Sequence, residues 1–253
     1  MIQLKTAKEI ERIRASCRIA AEAMSRVMEE IVPGVTTLRL DQVADAYIRS
    51  QGAVASALGY RGYPKSICVS VNEVVVHGIP GERLLALGDI LSVDIAVKKD
   101  GYHGDMNVTT TVGQASPEAE LLVETTRQTL ERGLEAVQVG NRLGDIGHAV
   151  QSLAESKGFS VVRDYCGHGL GRAFHEEPQI LHFGSPGTGR RLQTGMVFTI
   201  EPMVNQGQAG VRVLEDNWTA VTVDGKLAAQ FEHTVAVTKT GPDILSRFED
   251  LPF

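Results

Sequence analysis

Leu87-Gly-Asp-Ile-Leu-Ser-Val-Asp94 and Thr194-Gly-Met-Val-Phe-Thr-Ile-Glu201 each run from a glycine through a short apolar stretch to a carboxylate. Gly88 and Gly195 stand 107 residues apart, and so do Asp94 and Glu201. A carboxylate inside an apolar β run is costly unless a cation meets it. Two of them at matching places in a repeated unit point to halves of one chain that converge on a shared metal site.

The repeat extends outward from these strands. Residues 7–30 follow a helical period through Ile10, Ile13, Cys17, Ala20, Ala21, Met24 and Met28. Residues 118–137 do the same behind Ser116-Pro117, a helix-start signal. Each helix meets a glycine turn, Pro33-Gly34 or Val139-Gly140, and then a second helix, 38–51 or 144–157, that ends at Gly52 or Gly158. The offsets Gly34/Gly140 and Gly52/Gly158 are both 106. Strands are expected at 66–76, 90–98, 107–112, 196–204, 211–213, 218–223 and 231–238, where Val, Ile and Thr concentrate between Gly, Asn and Asp. Lys98-Lys-Asp-Gly101 reads as a hairpin turn that brings Asp94 near Asp105. Two helix-helix-strand halves (approximately 7–112 and 117–238) give an α+β fold with pseudo-twofold symmetry. Each half has too few strands to cover its own core, so a single domain over residues 1–253 is expected.

Composition narrows the function classes. The 253 residues are 43% hydrophobic and 22% charged, with a net charge of −6 and no Lys/Arg block. This is the profile of a soluble globular protein without a direct nucleic-acid site. Cys17, Cys68 and Cys166 are odd in number and form no CxxC pair, which fits reduced thiols in the cytoplasm. Neither a signal-peptide core nor a membrane-spanning run is visible.

The residues able to do chemistry in or beside strand-like segments are Asp94, Asp105, Glu201, Glu232, His77, His168, His175 and His233. Few basic residues lie close in sequence to neutralise the four carboxylates, and His168 sits in Cys166-Gly-His-Gly-Leu-Gly171, where small neighbours expose the imidazole. His175-Glu-Glu-Pro lacks the second histidine of H-E-x-x-H, since position 179 is Gln. No G-x-S-x-G elbow, G-x-G-x-x-G fingerprint or P-loop is present. Four carboxylates and one imidazole form a hard donor set suited to Mn²⁺, Fe²⁺ or Co²⁺, with Zn²⁺ also admitted. That number of donors is enough for two ions sharing bridging carboxylates, an arrangement that hydrolyses peptides or esters.

The order Asp94, Asp105, His168, Glu201, Glu232 resembles that of the pita-bread metallopeptidases. Within them, the stretch from Gly59-Tyr-Arg-Gly-Tyr63 to Val76-His-Gly-Ile-Pro80 is similar to the type I methionine aminopeptidases. So are Gly167-His-Gly169, Phe174-His-Glu-Glu-Pro178, Phe198-Thr-Ile-Glu-Pro-Met203 and Phe231-Glu-His-Thr234. The resemblance implies a pita-bread fold with a curved antiparallel sheet. It also implies removal of the initiator methionine from nascent polypeptides by hydroxide held between two divalent ions, with a small second residue preferred. In that scheme Asp94 chelates one ion, Asp105 and Glu232 bridge both, and His168 and Glu201 complete the other. Glu201 also shuttles protons, His175 donates to the scissile carbonyl oxygen, and His77 contacts the substrate backbone. Tyr60, Tyr63, Cys68, Phe174 and Trp218 would form the methionine pocket, with Ala57 where some relatives carry cysteine. The short spacing from His175 to Glu201 leaves no room for the helical insertion of type II enzymes, and no zinc-binding extension precedes residue 1. A cytoplasmic monomer acting near the ribosome is the expectation. Aminopeptidase P or prolidase on the same fold, and a non-catalytic binding module, are the competing readings.

Overall fold

The computed structural model describes residues 2–247; Met1 and residues 248–253, the outer ends of the expected single domain, lie outside them. Four helices form where the periodicity places them: α1 (Ala7–Glu30), α2 (Thr37–Ser50), α3 (Pro117–Glu135) and α4 (Leu143–Ser156). Thr6 and Glu9 close a reciprocal capping box at the start of α1, and Ser116 caps α3 ahead of Pro117. The buried stripe of α1 runs through Ile13, Cys17, Ala20, Ala21, Met24 and Val27, while Ile10 and Met28 are only partly buried.

The strands are β1 (Val54–Ala55), β2 (Cys68–Val71), β3 (Val74–Val76), β4 (Ile90–Lys99), β5 (Tyr102–Thr111), β6 (Ser160–Val161), β7 (Gly167–Gly169) and β8 (Glu176–Ile180). They continue with β9 (Val197–Ile200), β10 (Met203–Asn205), β11 (Val211–Val213), β12 (Ala220–Thr222), β13 (Ala228–Gln230), β14 (Glu232–Thr238) and β15 (Gly241–Ile244). The main curled antiparallel sheet runs β1-β4-β5-β14-β9-β7-β8, with β2 also on β4 and β15 on β14. Two three-stranded sheets, β13-β10-β6 and β11-β12-β3, flank it.

The duplication reaches residue-level register. Helices α2 and α4 are both 14 residues long and begin and end 106 positions apart. Strand β1 pairs Val54 with Lys98, and its counterpart β6 pairs Ser160 with Asn205 in the other half. Gly88 and Gly195 sit at φ 89° and 90°, a conformation that a Cβ disfavours, so both copies require glycine before the strand.

Three strand expectations need correction. The run 66–76 is two strands in different sheets, not one, because Asn72 takes φ 57° and turns the chain between β2, paired with β4, and β3, paired with β12. The run 196–204 breaks at Glu201-Pro202, where proline has no N–H to continue the ladder. Strand β5 starts at Tyr102 rather than residue 107, because cross-strand pairing with β4 overrides the weak β propensity of His103-Gly-Asp105. The hairpin turn is as expected, with Asp100 and Gly101 both at positive φ.

Helix α1 lies on the back of β4 and β5, where Ile95, Val97, Met106 and Val108 meet Ala20, Met24 and Val27 in one core. The approach is closest at Gly104, where a Cβ would come 2.4 Å from the backbone nitrogen of Cys17. No rotamer relieves a contact with backbone. Gly104→Ala is therefore expected to destabilise the protein by about 2–3 kcal/mol, read as a lower thermal midpoint; an unchanged midpoint would contradict this packing.

A candidate metal centre beside an aromatic pocket

Five adjacent strands, β4, β5, β14, β9 and β7, each bring one of the expected donors to the face opposite the helices. Register explains why. Asp94 pairs with Asn107, Asn107 with Glu232, His233 with Ile200, and Gly169 with Phe198. Paired residues share a face, and so do residues two apart on one strand. Asp94, Asp105, Glu232, Glu201 and His168 therefore emerge on the same side. Cys68, paired with Asp94 across β2 and β4, joins them.

Donor atoms of Asp105, His168 and Glu232 lie within 4.8 Å of one another. His168 Nε2 stands 3.7 Å from Asp105 Oδ2 and 3.7 Å from Glu201 Oε1. Its Nδ1 meets the carbonyl of Gly169 at 3.0 Å, which fixes the proton there and leaves Nε2 free as a ligand. Glu201 is held from three sides. Thr199 Oγ1 donates to its Oε1 at 2.7 Å, Gln230 Nε2 donates to its Oε2 at 3.3 Å, and its backbone N–H donates to His182 Nε2 at 3.0 Å. That last bond satisfies the backbone donor one residue past the end of β9.

Electrostatically the cluster is under strain without a cation. Burial pushes Asp94 up to about 7 and Glu201 up to about 8, with the Asp94 charge adding to the latter. Asp105 and Glu232 are driven well above the carboxylate range, by burial first and then by the surrounding carboxylates. Burial lowers His168 to about 4, so its imidazole is neutral at pH 7 and able to ligate. Asp105 Oδ1 and Glu232 Oε1 are buried with no hydrogen-bond partner. Orphaned anionic oxygens facing a neutral imidazole are what a hard divalent ion would satisfy, so the residues fit the metal that their chemistry implies.

The donors form the floor of a cavity of about 320 Å³. Every residue expected to contact substrate lines it: Tyr60, Tyr63, Cys68, His77, Phe174, His175 and Trp218, with Ala57 among them. Tyr63 packs edge-on to Trp218 at 5.1 Å between centroids and anchors its hydroxyl on the carbonyls of Ile67 and Gly78. His77, at φ 60°, lies edge-on to Tyr165 and Trp218. His175 is stacked on Tyr60 at 5.1 Å and stands 4.1 Å from the His168 ring, although the residue as a whole is exposed. Burial of its ring, together with nearby His168, lowers it to about 3. His233, also among the expected histidines, turns to the other face and binds Ser246 Oγ.

Several participants escape a motif reading. Asn107, Thr199 and Gln230 each stand two residues from an expected donor, so strand alternation places them on the same face as the ligands. Asn107 Nδ2 donates to Gln230 Oε1, which orients the amide that serves Glu201. Tyr165, Cys166 and Met203 also line the cavity. Their signal was adjacency to the quoted motifs. His182 and Lys5 carried no local signal, and Glu176 lay inside a quoted motif with no role assigned to it.

Residues 11–239 match the profile of metallopeptidase family M24. The chain is 51% identical to methionine aminopeptidase A of Synechocystis, covering 97% of both chains. It is also 51% identical to methionine aminopeptidase 1 of Bacillus subtilis, over 98% of this chain and 100% of that one. The crystal structure of methionine aminopeptidase from Rickettsia prowazekii superposes with a TM-score of 0.96 at 44% identity, covering 98% of this chain and 100% of that one.

Proposed function

We infer the activity from the premise that the chain belongs to metallopeptidase family M24 and has the pita-bread fold: it is a metal-dependent methionine aminopeptidase that removes the initiator methionine from nascent polypeptides and peptides. The observation that carries this reading is the junction of partnerless buried carboxylate oxygens with a cavity walled by aromatic rings and a thiol.

In this proposal Asp94, Asp105, His168, Glu201 and Glu232 hold two divalent ions, from the set Mn²⁺, Fe²⁺, Co²⁺ and Zn²⁺. When bound, such ions polarise the scissile carbonyl and lower the pKa of the attacking water. The protein's own groups do the rest. Glu201, fixed by Thr199, Gln230 and His182, takes a proton from the attacking water and delivers it to the leaving amine. His175, neutral because its pKa is depressed to about 3, donates an N–H to the carbonyl oxygen as negative charge develops there. His77, half-buried and with its pKa lowered to about 4 by burial, is neutral at pH 7 and contacts the substrate backbone. Tyr60, Tyr63, Cys68, Phe174 and Trp218 receive the methionine side chain, whose thioether packs well against ring edges and a thiol. The preferred second residue is small. We place this activity in the cytoplasm, on a monomer working beside the ribosome; no helix among the described residues is long and apolar enough to cross a membrane.

Initial rates on Met-Ala-Ser and on an X-Pro tripeptide, each against Mn²⁺, Fe²⁺, Co²⁺ and Zn²⁺, test the assignment. Metal-dependent release of methionine with no X-Pro hydrolysis is expected. The reverse preference would make the chain a prolidase or aminopeptidase P. No hydrolysis of either peptide under any metal would leave the binding-module reading in its place.

A further inference from the structure

Residues 171–175 form a short loop between β7 and β8, and they carry Phe174 and His175 into the cavity. A loop of this length, with His175 an exposed residue, needs external restraint if the ring is to hold one position. The restraint comes from the N-terminal segment that precedes α1. Lys5 Nζ meets Glu176 Oε2 at 2.5 Å, with the two side chains only 4% and 14% exposed. The other oxygen, Glu176 Oε1, accepts the backbone N–H of Ala173 at 3.1 Å, inside the loop itself. Gly171 packs directly on the ammonium, since a Cβ there would lie 2.6 Å from Lys5 Nζ. The backbone N–H of Lys5 donates to Gly195 O at 2.7 Å, tying the same segment to the entry of β9.

His175 lines the cavity and its neighbour Glu176 does not, so pinning Glu176 outside the cavity holds the adjoining His175 within it. A second brace acts from β5. His103 N–H donates to Gly171 O at 2.8 Å, its ring stacks on Phe174 at 5.5 Å, and its Nδ1 meets Ser56 Oγ at 2.8 Å.

We propose that Lys5 is a positioning residue for His175, acting through a buried Lys5–Glu176 latch that fixes the 171–175 loop. The inference rests on the aminopeptidase reading, in which His175 donates to the scissile carbonyl. In a latched loop the His175 N–H is already aimed before substrate enters, so loss of the latch acts on kcat more than on KM.

The test uses full-length protein loaded with Mn²⁺, Met-Ala-Ser as substrate, and the variants Lys5→Met, Lys5→Arg, Lys5→Met/Glu176→Leu, His175→Ala and Lys5→Met/His175→Ala. Lys5→Met should lose roughly 10- to 100-fold in kcat with KM changed far less, the size expected for misplacing a reacting group by about 1 Å. Lys5→Arg should restore most of that loss, with metal content unchanged in all variants. In the His175→Ala background, Lys5→Met should have almost no further effect, because the group it positions is gone. A purely structural role would lower kcat equally in both backgrounds and would overturn the proposal. If Lys5→Met folds poorly with its buried Glu176 charge uncompensated, the Lys5→Met/Glu176→Leu variant removes both charges and should show the same loss in kcat. Amide hydrogen exchange across 171–176 reads the latch independently of turnover and should rise at least about tenfold in Lys5→Met. Unchanged exchange in that variant refutes the latch, whereas wild-type protein that cleaves no Met-Ala-Ser refutes the aminopeptidase reading.

Discussion

Glu201→Ala is expected to abolish peptide hydrolysis, lowering kcat/KM by roughly 10³- to 10⁴-fold, while the fold stays intact. The substitution removes a carboxylate whose two oxygens are oriented by Thr199 and Gln230, and with it the proposed metal donor and proton carrier in one side chain. Glu201→Gln separates geometry from chemistry. It keeps the size of the side chain and the bond from Thr199, but an amide neither carries the proton nor neutralises a cation. It should be nearly as inactive as alanine. Circular dichroism and a thermal midpoint close to wild type would establish that the loss is chemical. Near-wild-type turnover in either variant would refute the mechanism.

The second large effect is on stability. In the metal-free protein Asp94, Asp105, Glu201 and Glu232 have folded-state pKa values raised far above those of exposed carboxyls, to about 7 and about 8 for Asp94 and Glu201. These four groups bind more protons in the folded state than in the unfolded state between about pH 4 and pH 8, so the stability they contribute is lost as pH rises toward 8, and the opposite trend from the histidines depressed to about 3–4 is confined to pH below about 6.5. A shift of three units in one group is worth on the order of 4 kcal/mol, and the four groups titrate as a coupled set. Divalent metal reverses the trend, since ligation needs the deprotonated carboxylates and releases their protons. Thermal midpoints in EDTA should fall from pH 6 to pH 8.5, and the increment from added Mn²⁺ should grow over the same range. Glu232→Gln should flatten the EDTA curve. A metal-free midpoint that rises with pH would contradict the burial of uncompensated carboxyls.

Legibility in the sequence followed the length and regularity of each element. Helices α1 and α3 announce themselves through apolar spacing over nineteen or more residues and through the Ser116-Pro117 start, and α2 and α4 through the glycine turns that bound them. The donors Asp94 and Glu201 were visible because a charge inside an apolar strand is expensive and this one occurs twice. Strands β1, β6 and β7 have only two or three residues, too few for alternation to register, and Gly167-His-Gly169 is a strand only because β8 and β9 pair with it. The turn at Asn72 and the break at Pro202 were hidden inside runs whose other residues are mostly β-like. The supporting layer was least visible. Lys5 and Glu176 meet across most of the chain, and His182 reaches the backbone of Glu201 from a separate segment. Such contacts depend on tertiary folding and leave no local pattern.

Within the main sheet the seam between the two halves is thin, the other strand pairing between them being β3 with β12. Strands β5 and β14 share only the pairs Asn107–Glu232 and Met106–His233, reinforced by the Thr234 side chain on the backbone of Asp105 and the Thr109 side chain on the backbone of Gln230. Asp94 and Asp105 stand on one side of that seam, and Glu232, Glu201 and His168 on the other. Any ion gripped by both sides is therefore a rivet through the joint, closing a loop of nearly half the chain between Asp105 and Glu232. Like a disulfide across a long loop, it would restrict the unfolded chain as well as bind the folded one. The site to which we assign the chemistry would thus also be a fastening across the seam of the main sheet.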